Sequence, residues 1–539
     1  MHNDFIIYIV LVLAILFIVM LAQKLKISYP ILLVVAGLVI SFVPGLPAIE
    51  IDPDLIFVIF LPPLLYEAAW KTSWKELWRW RRVIMSFAFL IVILTSGVVA
   101  VVSYWLIPTF TLALGFLLGG IISPPDAVSA SSILKSVKVP RRLVSIVEGE
   151  SLLNDAASLI VFRFALEAVK TGKFAFQDAA LSFVLVIVMG TLIGIGIALV
   201  FYAIHRWLPT TTQMNIVLSF IAPYTMYLAA EHFEFSGVLA VVSGGLFLSV
   251  RSHQFLDHRS RIQGWNVWET IAFVLNGLVF MLIGLELPVV VRDLGRENLP
   301  TAIGYSAVIC LLVIILRLAC TMGASVFTVW ISRYIRTADN RPGWRGPVVL
   351  GWAGMRGVVS LAAALSIPVY LDNGARFPER SMILFITFSV ILVTLVLQGL
   401  TLPAVIRWVK VEDRDNQVPP EEQDALVRTK MSKTALQVLQ QQHGAEVRVN
   451  GLLKSLETRL ETEISILSNT PGAGMNLEES REYIPNFRAV YLELITAQRQ
   501  LLHNLNHKAE VDEAIIRKYL SLLDIEEEKL YVQFNSHEH

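Results

Sequence analysis

The chain has little charge for its size. Asp, Glu, Lys and Arg make up only 16% of its 539 residues, whereas a soluble domain carries roughly 25%. Hydrophobic residues make up 55%, and the mean hydropathy is +0.63. This balance excludes an ordinary soluble globule and predicts an all-α polytopic membrane protein with a smaller soluble part.

Cysteine is also scarce. Cys310 and Cys320 lie in one apolar run and on different faces of a helix, which argues against a disulfide framework and a thiolate metal site. We interpret both as small hydrophobes. The N-terminus lacks the basic segment of a secretory signal, and the apolar segment that follows is long enough to span a bilayer. We therefore expect a retained first helix.

Long apolar segments fill the first 410 residues. A window of about 19 residues separates thirteen candidate spans, bounded by charge clusters and by Pro or Gly turns. The spans lie near residues 5–23, 30–48, 54–70, 83–107, 110–134, 143–169, 179–204, 213–230, 234–250, 266–291, 301–331, 346–370 and 381–406. We therefore predict a transmembrane domain over 1–410 and a second domain over 411–539.

The loop charges predict the orientation of the spans, because Lys and Arg collect on the cytoplasmic side. With the N-terminus outside, 19 of them fall in inner loops and 6 in outer loops. The inner residues are Lys24, Lys26, Lys71, Lys75, Arg79, Arg81, Arg82, Lys135, Lys138, Arg141, Arg142, Arg206, Arg251, Arg259, Arg261, Arg333, Arg336, Arg341 and Arg345. This asymmetry predicts a multi-pass protein of the inner (cytoplasmic) membrane with a cytoplasmic C-terminal tail.

Two spans are interrupted where a continuous helix is expected. The fifth contains SPPD at 123–126, where tandem prolines remove backbone donors. The twelfth contains GWAGMRG at 351–357, whose glycines loosen the helix around an arginine. The two lie seven spans apart and so cross the membrane in opposite directions. Broken helices in corresponding positions of an inverted repeat indicate the binding site of a transporter.

The tail is acidic, unlike the membrane part. Residues 411–539 hold 22 acidic and 14 basic residues, whereas the first 410 hold 22 and 30. A polar linker precedes two amphipathic helical stretches, about 421–468 and 478–535. No Gly-rich nucleotide motif or metal-binding pattern occurs there. We interpret the tail as a packing or dimer-supporting domain, with a ligand-sensing domain as the alternative.

Polar residues cluster inside the sixth span. Glu150, Ser151, Asn154 and Asp155 lie at membrane depth, where an ionisable group costs roughly 2.5–3.5 kcal/mol and is functional by default. Their oxygens suit a hard cation such as Na⁺, above all the oxygens of Asp155 and Ser151, which share a helical face. A carboxylate removed from water holds either a proton or a cation. Competition between a proton and a cation for one negative charge is the physical basis of cation/proton exchange.

The charged residues near this cluster have alternative roles. Asp126 follows the prolines, so it either caps the second half-helix or binds the ion. A buried guanidinium needs a carboxylate partner. We therefore predict a structural ion pair at the crossing of the broken helices for Arg356 and Arg317, with Arg356 meeting Glu150 or Asp126.

Three further charged residues have interpretations of lower consequence. Arg163 is expected to pair with Glu167, one turn later on the same helix. Glu148 is expected to be solvated near the cytoplasmic end of its span. Glu67 is either another arginine partner or an interfacial residue.

Four motifs in matching order resemble those of monovalent cation:proton antiporters of the NhaP/NHE type. They are FLPPLLYEA at 60–68, SPPDAVSA at 123–130, GESLLNDA at 149–156 and GMRGVVSLA at 354–362. The resemblance covers about residues 5–408. It implies an inverted-repeat fold of thirteen spans with two broken, crossing helices, and a homodimer in which a core domain slides against a dimerisation domain.

The resemblance also implies roles for single residues. Asp155 would carry the ion and the proton in alternation, with Ser151 and Glu150 assisting directly or through water. Asn154 stands where electrogenic relatives have a second Asp, which implies one-for-one exchange. Asp126 and Arg356 would stabilise the broken helices. The residue before Asp126 is a proline, whereas some relatives have a threonine that contributes an oxygen there.

These observations predict an antiporter, not an enzyme, that exchanges Na⁺ for H⁺ without a cofactor and serves pH homeostasis. A K⁺/H⁺ antiporter is the first alternative, because selectivity depends on cavity geometry, and Li⁺ is another candidate cargo. A cation channel would need a continuous polar pore and no titrating carboxylate. A membrane-anchored sensor would need an output module, which the tail lacks. The expected partners are the ions, the lipid bilayer and a second copy of the chain, and not nucleic acid.

Overall fold

The computed structural model contains two compact units, Met1–Glu412 and Asp413–His539. The described residues are 2–25, 27–42, 53–137, 139–172, 176–295, 298–331, 343–371, 374–411, 420–468, 490–502 and 513–534. Both units are helical. Among the described residues the only extended pairing is an isolated bridge between Tyr370 and Arg376.

The first unit contains helices of very different lengths. They are α1 (His2–Leu25), α2 (Tyr29–Ile40), α3 (Pro53–Lys71), α4 (Trp74–Leu106), α5 (Leu112–Ile122), α6 (Ala127–Ser136), α7 (Arg141–Thr171), α8 (Phe176–Trp207), α9 (Thr212–His232), α10 (Gly237–Phe255), α11 (His258–Leu294), α12 (Leu299–Ile331), α13 (Arg345–Trp352), α14 (Val358–Leu365) and α15 (Arg380–Val409). α4 and α15 each include a short π-helical segment, Ser86–Ile91 and Thr394–Gln398.

Six helical segments of the described chain are long and apolar enough to cross a membrane. They are α4, α5 together with α6, α8, α11, α12 and α15. α2 and most of α1 are apolar but shorter. The predicted multi-pass helical class agrees with this result, whereas the count of thirteen spans stays a prediction.

Two helices are interrupted at the predicted places. α5 and α6 are separated by a segment that contains Pro124 and Pro125, which have no N–H to donate to a helix. α13 and α14 are separated by residues 353–357, which include Gly354 and Gly357. Each interruption leaves backbone groups without helical partners, and these groups build the site described below.

α7 is packed on several sides along its length. Leu143, near its start, belongs to a hydrophobic cluster with α4, α6 and α13. Leu152 and Ala156, in its middle, belong to a second cluster with α3, α9 and α10. Phe162 and Ala165 belong to a third with α5, α14 and α15. The polar residues of α7 are therefore held inside apolar surroundings.

Close packing of α4 on α5 depends on glycine. A Cβ on Gly119 would lie 2.5 Å from Ser96 O, and one on Gly115 would lie 2.5 Å from Ala100 O. We expect Gly119→Ala to destabilise the fold by about 1–3 kcal/mol, because backbone atoms cannot move aside. Scanning fluorimetry in detergent measures the shift. Gly196→Ala in α8 is the control, since no atom lies within 4 Å of its Cβ position. Equal shifts would contradict the prediction.

The second unit consists of paired helices. α16 (Pro420–Val449) packs against α17 (Gly451–Ser468), and Gln440 Nε2 donates to Glu457 Oε1 at 3.0 Å. α18, at residues 490–502, contacts α19 (Glu513–Phe534), and Arg499 Nη2 lies 2.6 Å from Asp524 Oδ1. The helical character predicted for the tail holds throughout the residues described.

The first helical stretch of the tail, predicted over 421–468, is interrupted twice, by a kink at His443, where φ is −121° and ψ is 15°, and by a turn after Val449. The chain leaves the helix at Asn450, whose Oδ1 accepts from Leu452 N at 2.9 Å. An Asn followed by a Gly favours a turn, so the break had a sequence signal. Parts of the second stretch, 478–489 and 503–512, lie outside the described residues.

Candidate ion site

α7 is joined to the first broken helix by three side chains on one face. Ser151 Oγ accepts from the N–H of the first residue of α6 at 3.2 Å. Asn154 Nδ2 donates to the carbonyl of Pro125 at 2.9 Å, and Ser158 Oγ donates to that of Gly120 at 2.6 Å. These bonds satisfy backbone groups near the proline-containing break. They fix the position of α7 against the interruption.

Asp126 caps α6, as one of its two predicted roles requires. Oδ1 accepts from Val128 N at 3.3 Å, and Oδ2 accepts from Ser129 N and Oγ at 3.2 and 2.8 Å. Its own N–H donates to the carbonyl of Met355 in the second break at 2.6 Å. Gly357 lies so close that a Cβ there would be 2.6 Å from Asp126 Cγ. The two broken helices thus meet at Asp126.

Arg356 joins the same two breaks from the other side. Its side chain is fully buried. Nε donates to the carbonyl of Ile122 at 2.9 Å, and Nη2 donates to that of Ser123 at 3.5 Å. Nη1 donates to the carbonyl of Gly354. Arg356 therefore binds carbonyl groups at the breaks of both helices.

Glu150 is bonded to Arg317, and not to Arg356 as predicted. Arg317 Nη1 and Nη2 donate to the two carboxylate oxygens at 2.5 and 2.6 Å, and both side chains are buried. The expectation that Arg356 meets Glu150 or Asp126 is wrong, because the breaks supply carbonyl acceptors where its guanidinium lies. Of the two roles considered for Glu150, these contacts support the arginine partner.

Asp155 is 8% exposed, and no group of the described chain donates a hydrogen bond to its carboxylate. Glu150 is neutralised by Arg317, and Asp126 is held by N–H and hydroxyl donors. With Arg356 included, three carboxylates and two guanidinium groups sum to a charge of −1. A buried charge without compensation is costly. The described residues of this cluster therefore leave one negative charge uncompensated.

The other predicted ligands keep free acceptor capacity. Asn154 Oδ1 is buried without a hydrogen-bond partner. Ser151 Oγ accepts one hydrogen bond, and a hydroxyl has two lone pairs. No three His, Cys, Asp or Glu side chains of the described residues are grouped as a metal site. The oxygen atoms available to a cation here are therefore of three kinds, the carboxylate of Asp155, the amide of Asn154 and the hydroxyl of Ser151.

Two acids outside this cluster have lysine partners. Lys135 Nζ lies 2.9 Å from Glu148 Oε1, and both side chains reach solvent. Lys71 Nζ lies 2.5 Å from Glu67 Oε1, one helical turn away. These contacts agree with a solvated Glu148 and favour the interfacial interpretation of Glu67.

Arg163 has a different partner from the predicted one. It pairs with Glu231, at the end of α9, and not with Glu167 on its own helix. The second oxygen of Glu231 accepts from Gly237 N at 3.1 Å. The ion pair thus links α7 to the corner between α9 and α10, a contact between distant segments that local spacing cannot reveal.

Two contributors to the site were missed at the sequence level. Ser158 lies seven residues after Ser151, so helical spacing alone could have placed it on the same face. Thr394 Oγ1 accepts from the backbone N–H of Arg356 at 3.2 Å. Thr394 is one of several polar residues in an otherwise apolar span, and nothing in the sequence near it indicates this contact.

The chain is similar to known transporters over most of its length. The profile described as "Sodium/hydrogen exchanger, transmembrane" matches residues 10–408. The "Sodium, potassium, lithium and rubidium/H(+) antiporter" of Bacillus pumilus is 35% identical over 390 residues, which are 70% of this chain and 57% of that protein. The "Uncharacterized Na(+)/H(+) exchanger YjcE" of Escherichia coli is 29% identical over 523 residues, 93% of each chain.

A solved structure shares the fold over three quarters of the chain. The sodium proton antiporter MjNhaP1 from Methanocaldococcus jannaschii superposes with a TM-score of 0.58 at 17% identity, over 75% of this chain and 97% of that one. At this identity the likeness concerns the fold alone.

Proposed function

The chain belongs to the sodium/hydrogen exchanger family, and on that premise we propose that it exchanges Na⁺ for H⁺ across the cytoplasmic membrane, with Asp155 as the carrier. The observation that supports this most is the buried Asp155 carboxylate without a hydrogen-bond donor. Such a group is unstable as a bare anion, so it holds a proton or a cation. Release of one then requires uptake of the other, which couples the two fluxes.

The cation ligands in this proposal are the free oxygens near the carrier. Asp155 provides the charge, and Ser151 and Asn154 Oδ1 provide neutral oxygens. Glu150 acts indirectly, because Arg317 engages both of its oxygens. Asp126 and Arg356 hold the broken helices together around the site. No cofactor takes part, and Na⁺ and H⁺ are both cargo.

The charges of the site support one-for-one, electroneutral exchange. With Glu150, Asp126 and Asp155 against two arginines, the unfilled charge is a single negative one. One Na⁺ or one H⁺ balances it. We therefore expect a transport rate that does not change when a K⁺ diffusion potential is imposed with valinomycin across proteoliposomes. Acceleration by an inside-negative potential would contradict one-for-one exchange.

We also propose how the helices are oriented in the membrane. Thirteen spans in two inverted repeats, an outside N-terminus and a cytoplasmic tail fit the 19 positive residues of the inner loops. The transporter works as a homodimer in pH homeostasis, and residues 411–539 support packing or assembly. Cysteine labelling from either side of the membrane tests the orientation.

K⁺/H⁺ exchange is the second candidate. The name of the Bacillus pumilus antiporter includes potassium, lithium and rubidium as well as sodium. Ser, Asn and Asp oxygens bind several monovalent cations, and selectivity depends on the size and rigidity of the cavity. A channel is disfavoured because it needs no titrating carboxylate, whereas the Asp155 carboxylate is buried and receives no hydrogen bond from the described residues.

Proton flux in proteoliposomes tests the proposal. Purified protein is reconstituted with a pH-sensitive dye inside, and Na⁺, Li⁺ or K⁺ is added in turn across a pH series. We expect Na⁺ to move protons, and the order of half-maximal concentrations to give the selectivity. Proton movement with K⁺ alone would favour the second candidate. If no cation moved protons in vesicles that contain folded protein, the exchange proposal would be wrong.

A further inference from the structure

The first turns of α4 carry an unusual surface. Residues 74–82 read WKELWRWRR, with three tryptophans, four basic residues and one acid. Trp74 and Trp78 are 45% and 55% exposed, and their rings stack at 5.7 Å. We call residues 74–82 the aromatic-basic segment. Exposed tryptophan pairs are uncommon on surfaces that face only water.

Positive charge dominates the outer face of this segment. Lys75, Arg79, Arg81 and Arg82 are all exposed. The Arg81 guanidinium lies over the Trp78 ring, 4.6 Å from its centre. The single acid, Glu76, accepts from the indole N–H of Trp80 at 3.2 Å, and the Trp80 side chain is buried. The acid is thus engaged on the inner side of the helix.

An apolar surface of α4 begins after the aromatic-basic segment. Met85, Leu90 and Ile93 are exposed on the same helix, in a segment long and apolar enough to cross a membrane. The tryptophans therefore lie among the basic residues, in the turns that precede the apolar surface of α4. Trp in such a position favours the headgroup layer of the membrane interface.

From this combination we infer that the aromatic-basic segment binds anionic phospholipid headgroups of the adjoining leaflet. The basic side chains meet the phosphates, and the exposed indole rings lie beside them at the level of the headgroups. A free phosphate ester offers only the first contact. A lipid surface offers a phosphate for the basic side chains and an interface for the indole rings. We therefore choose the bilayer as the partner.

α4 carries the effect of the lipid to the ion site. Ile84, fully buried, packs so tightly on Gly149 of α7 that a Cβ there would lie 2.6 Å from Ile84 Cδ1. Phe87 lies under the guanidinium of Arg317, 5.5 Å from its ring centre. Both contacts flank Glu150. Anchoring the start of α4 therefore holds the Glu150–Arg317 pair and α7 in position. We expect this to increase the transport rate, an expectation that rests on the proposed function.

Lipid binding is measured first, without transport. Protein purified in detergent is heated with phosphatidylglycerol or phosphatidylcholine, and the unfolding temperature is compared. We expect phosphatidylglycerol to raise it for the wild type, because a ligand of the folded state stabilises that state. The variant with Lys75, Arg79, Arg81 and Arg82 all changed to Gln should lose this increase. Glycerol 3-phosphate as the added ligand should have no effect, and stabilisation by it would overturn the choice of the bilayer.

Contact of the tryptophans with lipid is measured separately. Brominated phosphatidylglycerol quenches indole fluorescence on contact, so the Trp74→Phe and Trp78→Phe double variant should lose part of the quenching. Trp105→Phe is the matched control for exposure, since Trp105 is 82% exposed at the other end of α4 without the basic residues. The Trp105→Phe variant keeps Trp74 and Trp78, so its quenching should depend on the lipid headgroup as strongly as that of the wild type. Equal dependence on the headgroup in both variants would overturn the site.

Transport is the last readout. Exchange in vesicles with phosphatidylglycerol should be several-fold faster than in pure phosphatidylcholine for the wild type, and equal in both for the Gln variant. Should that variant fail to fold, changing only Lys75 and Arg81 to Gln gives a smaller loss in the same direction. Lipid stabilisation without any exchange in the wild type would refute the proposed function and leave the lipid site intact. Unchanged stabilisation of the Gln variants would refute the lipid site.

Discussion

Asp155→Asn is expected to abolish cation-driven proton movement while the protein remains folded. Asparagine has nearly the same shape but cannot take up a proton or neutralise a cation. The loss should be at least ~100-fold, because the proton-carrying group of the reaction is gone. Folding should be preserved or improved, since the variant removes a buried charge without a hydrogen-bond donor. Dye-based proton flux with Na⁺ and scanning fluorimetry measure the two effects.

Glu148→Gln is the matched control for this experiment. Glu148 lies two turns earlier on α7 and is 32% exposed, with Lys135 as its partner. Its loss should change the Na⁺ response little. Wild-type flux in Asp155→Asn would exclude Asp155 as the carrier. Equal loss of flux in both variants would point to a general sensitivity of α7 instead.

Glu150→Gln is expected to cause the largest loss of stability of any single polar substitution in the membrane unit. It leaves Arg317 buried beside a neutral partner, and breaking a buried pair from one side costs about 3–5 kcal/mol. Arg317→Met should cost a similar amount, because it leaves Glu150 charged and unpaired. The unfolding temperature in detergent and the monodisperse fraction measure both effects.

The double variant Glu150→Leu with Arg317→Met separates charge from packing. Replacing both partners by apolar residues removes the unpaired charge, so it should recover most of the stability lost in either single variant. Lys135→Met, in the exposed pair with Glu148, is the control and should cost less than about 1 kcal/mol. Single-variant losses no larger than this control would show that the buried pair does not stabilise the fold.

The parts of the fold that depend on local rules were predictable from the sequence. Tandem prolines interrupt a helix wherever they occur, so Pro124 and Pro125 placed the first break. The polar stripe of α7 followed from helical spacing, and Asp126 after the prolines indicated a cap. The break at Asn450 also follows a local rule, because Asn followed by Gly favours a turn. The amphipathic pattern on both sides of it nevertheless predicted one continuous stretch.

The choice of partners could not be predicted, because it depends on distances between segments far apart in the chain. Arg317 and Arg356 looked equivalent as buried arginines that needed an acid. The carbonyls freed at the two breaks satisfy Arg356, and this left Glu150 for Arg317. In the sequence only acidic side chains stand out as acceptors for an arginine, whereas the unwound backbone supplies carbonyl acceptors that no residue type indicates.

The frame around Asp155 is held mainly by main-chain atoms. Carbonyls of Pro125, Met355 and Ile122 accept the bonds that tie α7, Asp126 and Arg356 together. Every amino acid supplies a backbone carbonyl. Evolution must therefore conserve the positions at which the two helices unwind, and much less the identity of the surrounding side chains. A lineage could therefore replace most of the surrounding side chains, and adjust which ion is preferred, without rebuilding the scaffold that holds the carrier.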